Sequence, residues 1–145
     1  MAPSSGNSIG ISPVPPQLVD AVWSDILPLL RDALDVSENE VSAEYVRQAC
    51  LNEEWDLWIV TRGSELTGFV TLEPLFSIKG FWINIAFAGF GKDLAAVNAC
   101  MTRIEEVGSL TGACGVKYIS ADRRFGSFAK RKGYRERYRE YVKEF

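Results

Sequence analysis

The chain has 145 residues, 47% of them hydrophobic, enough apolar material for one domain around a single core. Its 16 basic and 19 acidic residues leave a net charge of -3, which argues against nucleic acid or an anionic membrane as the main partner. There is no histidine, and the spacing of Cys50, Cys100 and Cys114 is not that of metal ligands, so a common zinc site and the Ser-His and Cys-His nucleophile pairs are excluded.

Residues 1–8 are mostly small and polar and read as a loose terminus ahead of a single domain over 9–145. They lack the basic and apolar regions of a signal peptide, and no apolar run reaches the length of a membrane span, so a cytoplasmic protein is expected. Ile9 and Ile11 allow a short strand, and the prolines of SPVPP lead into a helix. From Gln17 to about Asp35, Leu18, Val22, Ile26, Leu29 and Leu30 recur at helical spacing, interrupted by Pro28. Ser42 caps a second, shorter helix that carries Tyr45, Val46, Ala49 and Cys50 on one face.

The pattern then changes to strands. WDLWIVTR and LTGFVTLEPLF, rich in β-branched and aromatic residues, flank the turn residues GSE as a hairpin. GFWINIAFA, from Gly80 to Ala88, is apolar enough for burial on both faces, which would place Trp82, like Trp58 in the preceding hairpin, largely in the core. A helix follows from Asp93, with Leu94, Val97, Met101, Ile104 and Val107 along one stripe, and stops near Gly112. GVKYIS forms the next strand, RRFGSFAKRK a short helix closed by Gly133, and YRERYREYVKEF a last strand with charged and apolar residues alternating. All three cysteines lie among apolar or small residues and read as core positions in a reducing compartment.

The order β-α-α-β-β-β-α-β-α-β joins a mixed, mainly antiparallel sheet to flanking helices, an α/β (α+β) class. This order, with the hairpin WIVTRGSELTGFVTL and the junction SFAKRKGY, resembles the GCN5-related N-acetyltransferase (GNAT) fold from Ile9 onward. The resemblance implies acetyl-CoA as a cofactor, held where the fourth strand splays from the fifth and the next helix begins. FAGFGKDLAAV occupies that corner, which implies Gly89, Phe90, Gly91 and Lys92 as coenzyme-binding residues. A plain strand-to-helix corner is the alternative, because an isolated GxG has little specificity.

Three features depart from the family pattern. Ala86 stands where Gln or Arg is usual, the loop before the glycines is short, and Asp93 lies at the mouth of the anion position unless it turns away to cap the helix. The tyrosine that protonates the leaving thiolate is replaced as well, since the matching position is Ala129. Glu73 and Asp122 are the carboxylates nearest the expected cleft for a base, and Tyr134 or Tyr118 would stand in as the acid. Nine of the 16 basic residues fall between Arg123 and Lys143, a run that suits a coenzyme 3′-phosphate or a solvated face.

Two functions follow. One is an acetyl-CoA-dependent transferase acting on an amine of a small molecule or protein. The other is a domain with a degenerate coenzyme site that works through a protein partner. For the second, length, the strand FWINIA and the KGY junction are similar to small internal or assembly-associated virion proteins of T7-like phages.

Overall fold

A computed structural model describes residues 8–119, 124–137 and 140–145, with the backbone alone for 124–127. Strand β1 (Ile9–Val14) leads through a single 3-10 turn (Pro16–Leu18) into α1 (Val19–Val36) and α2 (Ala43–Leu51). Strands β2 (Asp56–Arg62), β3 (Glu65–Ser77) and β4 (Gly80–Gly89) follow, then α3 (Leu94–Thr111), β5 (Val116–Tyr118) and α4 (Arg124–Arg131). The strands form one sheet in chain order, antiparallel from β1 to β4 and parallel between β4 and β5. The fold class expected from the sequence is therefore the one formed.

Local chemistry accounts for the boundaries. Pro13 is accommodated in β1 because that strand is an edge, where a missing N–H leaves no ladder bond unmade. The hydroxyl of Ser42 accepts the Tyr45 amide at 3.0 Å, the N-cap read from the sequence. Asp93 caps α3 in the same way, and Gly112 ends that helix in the left-handed region at φ 80°. The β2–β3 turn is tighter than GSE: Arg62 pairs with Glu65, so Gly63 and Ser64 alone make it, with Gly63 at φ 63°.

Strand alternation divides the core between the two faces of the sheet. Leu57 and Phe69 meet Val19, Ile26, Leu30 and Leu34 of α1 and Val46 of α2. Val60, Val70, Leu72, Ile83 and Ile85 face the other way, onto Ala96, Val97, Cys100, Met101 and Ile104 of α3. Each fully buried Ile, Leu or Val contributes roughly 1.5–3 kcal/mol, so these two layers carry most of the stability.

Several expectations need correction. On α3, Val97, Met101 and Ile104 are buried as expected, but Leu94 at the start of the stripe is 69% exposed, and Ala96, Cys100 and Gly108 complete the buried face. Tyr45 is likewise exposed and rests its ring edge on Trp55. Trp58 and Trp82 are both half-buried: Trp58 packs at the margin of the α3-side core, and Trp82 is covered by Gly115 and by two cations, Lys117 and Arg137. Most of β4 is half-buried, with Ile83 and Ile85 its buried residues. Cys114 is exposed, whereas Cys50 and Cys100 are buried with thiols pushed up to about 11 and about 12, chiefly by desolvation.

The last strand does not form in the described part of 134–145, where Tyr141, Val142 and Phe145 are exposed. Alternation alone does not make a strand. The neighbouring ladder is short, since β5 spans three residues, and these side chains bury nothing that would offset the entropy of ordering them.

Candidate functional site

The corner between β4 and α3 is built by Phe90. Its ring is buried over Gly68, where a Cβ would lie 2.4 Å from the ring, and the turn closes through Asp93 N–H donating to the Phe90 carbonyl at 3.2 Å. Gly91 takes φ 55°, a conformation that favours glycine, and has open space on its Cβ side. Lys92 is exposed beside it.

Asp93 turns inward to cap the helix. Its carboxylate accepts the Ala96 amide at 3.1 Å and takes a bidentate clasp from Arg62, at 3.0 Å from Nε and 2.9 Å from the second guanidinium nitrogen. Both side chains are partly shielded, 31% exposed for Arg62 and 22% for Asp93. The Arg62 guanidinium, and then the Ala96 amide, hold the Asp93 carboxyl below its ordinary range. A depressed folded-state value adds stability above the unfolded pKa and loses it as pH falls through the folded one. Asp93→Asn is therefore expected to be less stable at neutral pH but to lose less on acidification, read as Tm against pH.

This clasp bears on the expected coenzyme site. Three of the amides that open α3 have internal acceptors: Leu94 on the Lys92 carbonyl, Ala96 on the Asp93 side chain, and Val97 on the Asp93 carbonyl. The Asp93 carboxylate therefore occupies the position on the first turn of α3 where an anion would meet the Ala96 amide. The amides of Gly91 and Lys92, one step earlier, have no acceptor among the described residues.

Strands β4 and β5 pair only from Ile83 to Ile85, while β4 continues to Gly89. Among the described residues, no strand pairs with 86–89 on the β5 side. The register with β3 shifts between Thr71 and Leu72, which makes Ala86 an extra residue in β4, and such a bulge re-aims the strand.

Glu73 lies on the α1–α2 face of the sheet. One carboxylate oxygen accepts the Trp55 indole N–H at 2.9 Å, and the other accepts the Asn84 amide at 2.8 Å. Trp55 is packed between Tyr45 and Phe87, each 5.9 Å away between ring centroids. Asn84, a polar residue inside the apolar run FWINIA, was the available signal for this pairing; Arg62, thirty-one residues from Asp93, offered none.

Tyr134 is on the opposite face. Its hydroxyl donates to Glu105 on α3 at 2.7 Å, its ring meets Tyr118 edge-on at 5.6 Å, and Lys132 donates to Thr102 at 2.9 Å beside it. Burial first, and then the bond to Glu105, push the Tyr134 hydroxyl well above its ordinary range. Tyr134 therefore anchors the chain after α4 to α3 and does not meet Glu73. Asp122, with Arg123, lies outside the described residues.

No protein-family model and no curated protein matches the chain. Solved structures do match over nearly its whole length. A ribosomal-protein-alanine N-acetyltransferase from Brucella melitensis biovar Abortus 2308 superposes with a TM-score of 0.71 at 12% identity, covering 95% of this chain and 99% of its own. A GCN5-related N-acetyltransferase from Ralstonia eutropha JMP134 gives 0.67 at 11%, covering 95% and 99%. A predicted acetyltransferase with acetyl-CoA from Clostridium acetobutylicum gives 0.66 at 9%, covering 95% and 96%. At these identities the likeness establishes the GNAT fold, and fold alone does not carry an activity.

Proposed function

We propose that this GNAT-fold chain acts through protein contacts, with its acetyl-CoA position degenerate and efficient acetyl transfer lost. The observation that carries this reading is the Arg62–Asp93 clasp on the first turn of α3, which sets a carboxylate against the Ala96 amide where an anion would otherwise sit. Ala129 in place of the family's acid, and a Tyr134 hydroxyl committed to Glu105, support it. Assembly of a phage particle is the setting that the similarity to small virion proteins implies.

Titration with acetyl-CoA, followed as a thermal shift, tests the proposal, and no saturable shift at millimolar ligand is expected. A coenzyme at 100 times its dissociation constant would stabilise by about 2.7 kcal/mol, roughly 5–10 °C in a domain of this size, and such a rise would sink the reading.

A second reading is favoured by the amides of Gly91 and Lys92 and by residues 86–89 of β4, for which the described residues supply no acceptor and no β5-side strand, with Glu73 as the base for an amine acceptor. It requires saturable acetyl-CoA binding that Lys92→Ala weakens more at low salt than at high salt, because salt screens an exposed charge.

A further inference from the structure

A cleft of about 330 Å³ opens where β1 ends and β2 begins, away from the glycine corner. Pro15, Trp55 and Trp58 are among the residues that line it, and its acidic residues are the exposed Glu53 and Asp56. Neither carboxylate has an ion-pair or hydrogen-bond partner among the described residues. Desolvation, and then the negative charge of Glu53, raise the Asp56 carboxyl above its ordinary range, so a positive charge placed between the two would relieve both effects. The Cys50 thiol on the same wall is protonated at neutral pH and adds no charge.

We propose that this cleft captures an arginine side chain of a partner protein, its guanidinium held by Glu53 and Asp56 and its plane laid against tryptophan. Planarity selects the occupant. A guanidinium presents a flat fork of donors that serves two carboxylates while stacking on an indole, whereas an ammonium is a compact, strongly hydrated charge. The cleft lies at the small end of ligand sites, a size suited to one long side chain. Its aromatic wall is set in advance, because Trp55 is fixed through its N–H to Glu73 and by its contacts with Tyr45 and Phe87. The placement of Glu53 agrees: it follows the end of α2 at φ 61°, a left-handed position natural to glycine or asparagine and unfavourable for glutamate.

The proposal deepens the protein-contact reading and rests on it for the source of the guanidinium. Its test is calorimetric titration of the full chain with Nα-acetyl-arginine methylamide, with the corresponding lysine derivative as comparison and no coenzyme present. Saturable binding of the arginine probe is expected, with the lysine probe weaker and Asp56→Asn raising Kd about tenfold or more, as loss of a charge-assisted bond requires. Glu53→Gly separates site from scaffold: it should raise Kd while Tm rises, since the strained backbone is relieved. No saturation by the arginine probe at tens of millimolar, equal affinity for the lysine probe, or a Kd unchanged in Asp56→Asn and Glu53→Gly would each overturn the assignment. An acetyl-CoA titration run separately reports on the protein-contact reading itself, so the two failures remain distinguishable.

Discussion

Ile104→Asp is expected to abolish the cooperative thermal transition. Ile104 is fully buried in the middle of α3, in the layer formed with Val70, Leu72, Ile83 and Ile85. A carboxylate there would be desolvated, and no ion pair among the described residues places a cation at that layer. Transfer of an unpaired ionised group into such a site costs several kcal/mol even after the group is protonated, against a total stability of roughly 5–15 kcal/mol for a domain. The loss of packing adds to this. Ile104→Val is the control, with an expected cost of about 0.5–1.5 kcal/mol and a retained transition. Circular dichroism melts of both proteins decide the matter: a wild-type-like melt of the aspartate variant would show that α3 does not pack through this face.

Gly68→Ala is the second substitution with a large expected effect, and it bears on the glycine corner. The added methyl would lie 2.4 Å from one carbon of the Phe90 ring, 3.0 Å from another and 3.1 Å from the carbonyl oxygen of Gly89. The ring therefore has to leave its place over β3, or the strand has to move, and overpacking of this kind costs typically 1–3 kcal/mol. Because Phe90 seats the turn that carries Gly91 and Lys92, displacement should also disturb the Arg62–Asp93 clasp on the far side of the corner. Phe90→Leu in the Gly68→Ala background should recover part of the loss, although Phe90→Leu alone is destabilising. That non-additivity is the signature of a direct contact. Additive effects on Tm and denaturant midpoint would show that the ring does not rest on Gly68, and would free the corner for a different role.

Much of the fold was legible because its signals are local. Ser42 and Asp93 mark helix starts by side-chain bonds to amides three residues on, and Gly112 and Gly133 mark helix ends by their left-handed backbone. The β2–β3 hairpin follows from two β-branched arms around a glycine turn. Periodicity identified α3 as amphipathic and picked out Val97, Met101 and Ile104 as buried, but it included Leu94 and missed Ala96 and Cys100. Leu94 fits the stripe as well as Ala96 does on hydropathy alone, and only docking on β3, β4 and β5 decides which of them meets the sheet.

By itself, the sequence determined the element order, the caps, the turn glycines and the absence of histidine chemistry, all of which depend on residues near one another in the chain. Tertiary structure alone decided what the polar groups do. Arg62 reaches Asp93 across thirty-one positions, Glu73 is held by Trp55 and Asn84 from two other segments, and the Tyr134 hydroxyl is committed to Glu105. It also decided that the described part of the alternating stretch after Gly133 stays outside the sheet, since a strand exists only where a neighbour offers a ladder and β5 offers three residues. The physical reason is common to all of these. A cap or turn is satisfied by atoms its own sequence supplies, whereas the partner of a carboxylate, a hydroxyl or an edge strand is chosen by which distant segments the packed core brings within hydrogen-bond reach.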